Sequence, residues 1–424
     1  LKVNNSGSSG TAAPLLTVMY SAAVSSLFRC RGLLVLYAWG RLCVGCSAEA
    51  PWRMLLQEGR HRAPLGHSMV LPSSVPPIKW KVKTYGSTES SPVVGDRHVF
   101  SAAGKEIIAL DKATGEKVWA FKTRGAILAS GALGGGMFMV GSDDKHFYAV
   151  DEATGKLRWK FKADEFTGGA TIGEPENVVY VGSSAKKLHA YFLNGSKHFE
   201  FKTKDQVCST PALDDSGVYF GDDSGAFFKL DRATGKKVWD VKFPSGVRSP
   251  ARLEPDGIYL SFGDPDGTKS GEIVRLGYDG KVHWRSDCKW QGRKVASKCM
   301  SCWTSPAVVG DVAIAGCGLD TKNKGAVWGL DKETGEVRWK VEADNDCQTS
   351  SPVAVGDSVL IGCIDGSLRA IKAADGAEKW VFNTPKLGIW ATTALDADGT
   401  IFIGAQGQAG GYLYALGGTA HQEL

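Results

Sequence analysis

No apolar stretch in this 424-residue chain approaches the roughly 20 residues that a membrane-spanning helix requires. Cysteine is thin, at 10 of 424, which excludes a small disulfide scaffold, and no two cysteines are adjacent. Acidic residues are missing from the start of the chain: none precedes Glu49. A basic excess is missing from the rest. Lys2, Arg29, Arg31, Arg41, Arg53, Arg60 and Arg62, against Glu49 and Glu58, account for the whole formal charge of +5, so the residues beyond 75 are neutral in sum. A neutral body is unsuited to a phosphate backbone, and a nucleic-acid partner is excluded. With 43% hydrophobic and 22% charged residues, the chain is neither a polytopic membrane protein nor a disordered one. What is plentiful is glycine, 53 residues with no Gly-X-Y period, which points to a turn-rich all-β protein.

Residues 1–76 stand apart from the rest of the chain. Their sustained apolar run, Leu33–Trp39, is preceded by Arg29 and Arg31 and followed by the small residues Gly45-Cys46-Ser47-Ala48. That order suits a secretory signal, and the Ser-rich, acid-poor composition equally suits an organellar transit peptide or a disordered extension. Cys46 is a poor lipidation site, because Cys43 occupies the place where a lipobox wants leucine.

From residue 80 onward one pattern recurs. Asp111-Lys-Ala-Thr114-Gly115 leads to Trp119, and Asp151-Glu-Ala-Thr154-Gly155 to Trp159. The same turn precedes Trp239 and Trp339, and degraded copies precede Phe199, Trp284 and Trp380. With Trp80 at the front, the aromatic positions are spaced by 39, 40, 40, 40, 45, 55 and 41 residues. A period near 40 with a fixed aromatic indicates a radial repeat. In each turn the Asp and Thr side chains bond nearby backbone N–H groups, and Gly supplies the left-handed conformation of a tight hairpin. Each repeat reads as four short strands, the first as Ser91–Val94, His98–Ala102, Glu106–Leu110 and Lys117–Phe121. Eight inner strands can be counted, and the last unit, Ala391–Leu416, lacks a fourth strand. The spare strand Ile78–Val82 supplies it. The expected fold of 77–424 is therefore an eight-bladed β-propeller of four-stranded antiparallel blades, closed by pairing of the N-terminal strand with the last blade, and monomeric. Trp80, Trp119, Trp159, Phe199, Trp239, Trp284, Trp339 and Trp380 are expected to wedge each blade against the next.

The Ala-x-Asp-x-x-Thr-Gly-x-x-x-Trp pattern, from Ala109 to Trp119 and from Ala149 to Trp159, resembles the tryptophan-docking motif of pyrroloquinoline-quinone-type propeller repeats. The resemblance covers about residues 77–424. That family holds quinoprotein dehydrogenases, which carry the quinone with Ca²⁺ on the propeller axis, and non-catalytic propellers such as the bacterial outer-membrane assembly lipoprotein. Many of the alcohol dehydrogenases carry adjacent cysteines, absent here. The residues ahead of the eight inner strands, Glu89, Leu128, Thr167, Cys208, Val247, Trp303, Thr349 and Trp390, align around one mouth of the axial channel and include a single charge, Glu89. A Ca²⁺–quinone pair wants several oxygen ligands and cationic partners. Trp303 and Trp390 have the shape either to stack a planar ligand or to plug the channel. Asp264-Pro-Asp266-Gly267 begins like a Ca²⁺ loop but lacks the later Glu.

The long spacings place insertions in blades five and six, one of them Arg285–Trp303 with Cys288, Trp290, Cys299 and Cys302. Cys302 and Cys347 precede inner strands, while Cys317 and Cys363 end second strands, so these six cysteines converge on neighbouring blades. Three readings stay open: disulfides that staple the inserted loop, reduced half-buried thiols, or a zinc or other thiolate site around Cys299-x-x-Cys302. Glu89, Trp290, Trp303 and Trp390 are the candidate binding-face residues. The expected function is a non-catalytic scaffold, without cofactor, that binds a protein or peptide through the loop-bearing face of blades five to seven. The alternative is a quinone- or metal-dependent oxidoreductase. The N-terminal segment favours a secretory or organellar location.

Overall fold

The computed structural model describes residues 69–86, 88–263, 271–287, 302–318, 324–408 and 410–417. Among these there is no helix. They form eight four-stranded antiparallel sheets, the blades of a propeller. Blades 1 to 7 span residues 93–122, 132–162, 170–202, 212–242, 252–286, 307–343 and 353–383, each with its strands in chain order from the axis outward. Blade 8 combines Ala394–Leu395, Ile401–Gly407 and Gly410–Leu416 with Ile78–Thr84 as its outermost strand. In that closure Trp80 pairs with Ala415 and Lys83 with Tyr412. The inner strands are short, only Val93–Val94 in blade 1, where the preceding Ser91-Pro92 delays pairing because Pro has no N–H to give. Second and third strands are buried on both faces, for example Met137–Ser142 throughout.

The aromatic row sits on the outer strands, and its geometry repeats. Trp119 of blade 1 lies over Gly155 of blade 2 and donates from Nε1 to the Glu152 carbonyl at 3.0 Å. The same donation runs from Trp80 to Lys112 (3.0 Å), Trp159 to Leu193 (2.7 Å), Trp239 to Tyr278 (3.0 Å), Trp284 to Lys332 (2.9 Å) and Trp339 to Ala373 (2.8 Å). Each acceptor belongs to the hairpin between the third and outer strands of the following blade. A β-bulge at that hairpin, as between Ala109 and Leu110, sets the register that seats Trp119 opposite Ala109. Phe199 has no N–H, and its neighbour replaces it: His198 Nε2 lies 3.2 Å from the Arg232 carbonyl while the Phe199 ring covers Gly235.

Trp380 faces a different problem. Blade 8 borrows its outer strand from the other end of the chain, so it has no hairpin to receive the indole. The carbonyl of Pro72 takes that place at 2.9 Å. Residues 69–76, which the sequence pattern assigns to the extension, thus lie against blade 7, with Met69 and Leu71 buried. The rest of the expected extension, and with it Cys43 and Cys46, lies outside the described residues.

Near the axis a second set of bonds joins neighbouring blades. Ser91 N–H donates to Ser130 Oγ (3.1 Å), Gly169 N–H to Thr210 Oγ1 (2.9 Å), Ser305 N–H to Ser351 Oγ (2.7 Å), Ser351 N–H to Thr392 Oγ1 (2.8 Å) and Thr392 N–H to Ser91 Oγ (2.9 Å). Each bond crosses from one blade to a neighbour. Buried hydroxyls so satisfied are a structural asset rather than a cost.

Candidate functional site

In each blade the residues entering the inner strand and the loop between the second and third strands share one end of the axis, the mouth face. Glu89, Leu128, Thr167, Cys208, Val247, Trp303, Thr349 and Trp390 are gathered there, and all eight are buried. Their neighbours fill the space. Arg248 forms a two-pronged pair with Asp223, Nε to Oδ1 at 2.8 Å and Nη2 to Oδ2 at 2.9 Å, a geometry that fits a guanidinium to a carboxylate. Its guanidinium carbon lies 5.4 Å from the Trp303 ring, and Trp303 Nε1 donates to the Gly263 carbonyl at 3.2 Å. Thr167 Oγ1 donates to Cys208 Sγ at 3.5 Å, and that thiol reaches Asp223 Oδ2 at 3.6 Å. Across the mouth, Gln406 Nε2 donates to Glu89 Oε1 at 2.8 Å while Gln406 Oε1 accepts from Thr88 N–H at 2.9 Å.

Charge on this face is managed by burial. Burial pushes the Asp143 carboxyl up to about 7, helped by the nearby charges of Glu165, Glu89 and Asp144. Asp346 is likewise raised to about 7 by burial, although it accepts from Gln348 N–H at 2.6 Å and from the Gln348 amide. Among the described residues, no three His, Cys, Asp or Glu side chains converge as metal ligands. A quinone with Ca²⁺ needs an open aromatic platform and several uncommitted carboxylate oxygens at one point. Here Trp303 is 1% and Trp390 8% exposed, and Asp223 is engaged by Arg248. These residues do not fit that pair.

The cysteines resolve in part. Cys302 is joined to Cys317 and Cys347 to Cys363, each pair with Cα atoms 4.3 Å apart. Of the three readings, the disulfide one holds for these four; sulfurs joined in pairs are not thiolate ligands. Each bond ties the entry of an inner strand to the end of its second strand on the mouth face, in adjacent blades 6 and 7. Cys208 is a free, buried thiol. Cys288, Cys299, Trp290 and the Asp264–Gly267 turn lie outside the described residues. Trp303 and Trp390, whose type and position suggest stacking surfaces, present no free ring face of useful size, because Arg248 covers the first and both are packed into the mouth. Arg248 and Asp223 carry no signal in the sequence. Their pairing joins blade 5 to a loop of blade 4, and neither stands in the repeat motif.

The family model described as outer membrane protein assembly factor BamB matches three times, over residues 52–191, 148–276 and 266–386. A BamB of Xanthomonas campestris is 27% identical over 180 residues, 40% of this chain and 39% of the relative. The matched stretch thus spans about two fifths of that protein's length. The crystal structure of BamB from Moraxella catarrhalis superposes with a TM-score of 0.63 at 16% identity, covering 82% of this chain and 100% of that one. A quinohemoprotein alcohol dehydrogenase from Comamonas testosteroni also reaches a TM-score of 0.63 at 16% identity, over 82% and 77%. At such identities the two structures speak for the shared fold alone.

Proposed function

The chain belongs to the BamB-type family of propellers, and from that premise we propose that it is a non-catalytic scaffold that binds an extended polypeptide or a protein partner through the loop-bearing face of blades 5 to 7. The observation that carries this reading is the packed mouth. Trp303 and Trp390 are buried there and Arg248 is committed to Asp223, so the chemistry we assign to that face is contact rather than turnover. Two disulfides in blades 6 and 7 stiffen the loops beside it, and a preorganised loop loses less entropy when a partner settles on it. The relatives' description as outer membrane protein assembly factors motivates the choice of ligand: a chain segment with the alternating pattern of a β-strand, held by strand addition or by the loop tips.

The test is fluorescence anisotropy with a labelled peptide of alternating aromatic and polar residues. Binding should weaken when exposed loop residues of blades 6 and 7 are reversed in charge, as in Asp344→Lys with Lys386→Glu. It should be indifferent to reversals at the opposite ends of the same blades. Dye-linked alcohol oxidation after addition of Ca²⁺ and pyrroloquinoline quinone would overturn the proposal. So would a peptide affinity that no loop substitution alters.

A further inference from the structure

Three residues after each docking aromatic, at the mouth-face end of the outer strand, the side chain is exposed. In blades 8, 1, 2, 3 and 4 that residue is Lys83, Lys122, Lys162, Lys202 and Lys242 in turn. In blades 5, 6 and 7 it is Asp287, Glu342 and Asn383. We propose that the five lysines form a docking arc for a planar surface of anionic lipid headgroups, and that the remainder of the ring, which has no cation at these positions, leaves blades 5 to 7 out of it. This inference goes beyond partner binding and does not rest on it.

The geometry follows from the repeat. Equivalent positions in a propeller lie on one circle in one plane perpendicular to the axis, so five ammonium groups on five consecutive blades are presented to a flat target together. A soluble acidic chain is matched by a groove or a compact cluster, and a nucleic-acid duplex would leave a circular arc after one or two contacts. A bilayer meets all five. Of these lysines, only Lys122 has a carboxylate in ion-pair reach among the described residues, Glu106 at 3.3 Å. Two residues further along, Arg124 and Lys204 add exposed positive charge in blades 1 and 3. At that place in blade 2 Asp164 is bridged to Lys145 at 2.9 Å, and the nearby Asp205 to Lys186 at 3.7 Å, so neither is an unopposed charge.

A second observation points the same way. At the corresponding place in blade 8 stands Tyr85, 86% exposed, with Lys83 Nζ 6.0 Å from its ring centre. A fully exposed ring with a polar tip beside a lysine is the side-chain type enriched where membrane meets water. In the other sector Glu342 is partly offset by Lys340 at 2.8 Å, so the sector is close to neutral rather than attractive. The disc then settles on one arc and tilts.

The experiment is flotation of the full chain with vesicles of phosphatidylcholine alone or of equimolar phosphatidylcholine and phosphatidylglycerol. Binding should require the anionic lipid and fall as salt shortens the screening length. A lysine near such a surface is worth about fivefold in partition, so Lys122→Gln with Lys162→Gln and Lys202→Gln should lower it on the order of a hundredfold. The control removes equal charge at the opposite face, Lys117→Gln with Lys156→Gln and Lys236→Gln, and should lower it less than roughly twofold by the same reasoning. Matching circular dichroism melts of the two triple variants establish that both are folded. No flotation with anionic vesicles, or equal loss in both triple variants, overturns the arc. Equally tight binding to soluble polyglutamate also overturns it, in favour of an acidic polypeptide partner.

Discussion

Two glycines of blade 2 isolate what the aromatic docking contributes. Gly155 and Gly136 share a left-handed backbone, φ 69° and 70°. An added Cβ at Gly136 meets nothing within 4 Å, whereas at Gly155 it would stand 2.6 Å from Trp119 Cδ2. Alanine at either site bears the left-handed penalty of about 1–2 kcal/mol, partly offset by a stiffer unfolded chain. Only Gly155→Ala must also push the indole aside. That loosens the bond to Glu152 O, about 1 kcal/mol, and overpacks the blade interface at about 1–3 kcal/mol. Gly136→Ala should therefore cost about 1 kcal/mol and Gly155→Ala about 3–5 kcal/mol. The assay is urea unfolding followed by far-UV circular dichroism, with both substitutions repeated in a Trp119→Ala background. Removing the ring should bring the cost of Gly155→Ala down to that of Gly136→Ala. Equal costs in the native background, or an undiminished cost without Trp119, would refute the docking argument.

Other outcomes stem from the same packing. Non-reducing peptide mapping should recover Cys302 linked to Cys317 and Cys347 to Cys363. Each closes a loop of 15 or 16 residues, so Cys317→Ser or Cys363→Ser should each cost about 3 kcal/mol in urea unfolding. A variant beginning at residue 77 removes the Pro72 acceptor and the buried Met69 and Leu71, and should be about 4–6 kcal/mol less stable by the same assay. His189 is buried between Ser183 Oγ at 2.9 Å and Glu200 Oε1 at 3.1 Å, and burial pushes its imidazole down to about 4 from 6.5. Its folded state resists protonation, so its contribution is complete above pH 6.5 and roughly 3 kcal/mol is lost as pH falls towards 4. Asp143 and Asp346, both raised to about 7, act in the opposite sense, gaining as pH falls through 7. The His189 share is read as the difference between the native chain and His189→Phe across that range, and parallel profiles would contradict it.

The wheel was legible because its wedge is chemically unusual. Tryptophan is rare enough that eight aromatic positions near a 40-residue period announce eight blades, and Asp111-x-x-Thr114-Gly115 names its own turn. Closure by Ile78–Val82 came from counting strands. The cross-blade bonds to the hydroxyls of Ser91, Ser130, Thr210, Ser351 and Thr392 were not legible, since serine and threonine are common everywhere and the partners lie about 40 residues apart or, for Thr392 and Ser91, at opposite ends of the propeller. Nor was the part played by Pro72. Nothing in a proline before the first strand says that Trp380 lacks a hairpin and will need a carbonyl from outside the repeat. His198 standing in for the indole N–H beside Phe199 is visible only once both face the same turn. At the mouth, the sequence marked Trp303 and Trp390 by type and position, but whether such rings stay open depends on neighbours such as Arg248 and Asp223, which belong to no motif.

Hydrogen–deuterium exchange of the full chain with and without the strand-like peptide bears most directly on the proposed role. The account predicts new protection confined to the mouth-face loops of blades 5 to 7, including residues 342–346 and 384–388, with the axial segments around Trp303 and Trp390 unchanged because they are already packed. Protection arising instead at the axis, together with opening of the Arg248–Asp223 pair, would contradict it, because the mouth would then be a ligand cavity and not a filled hub.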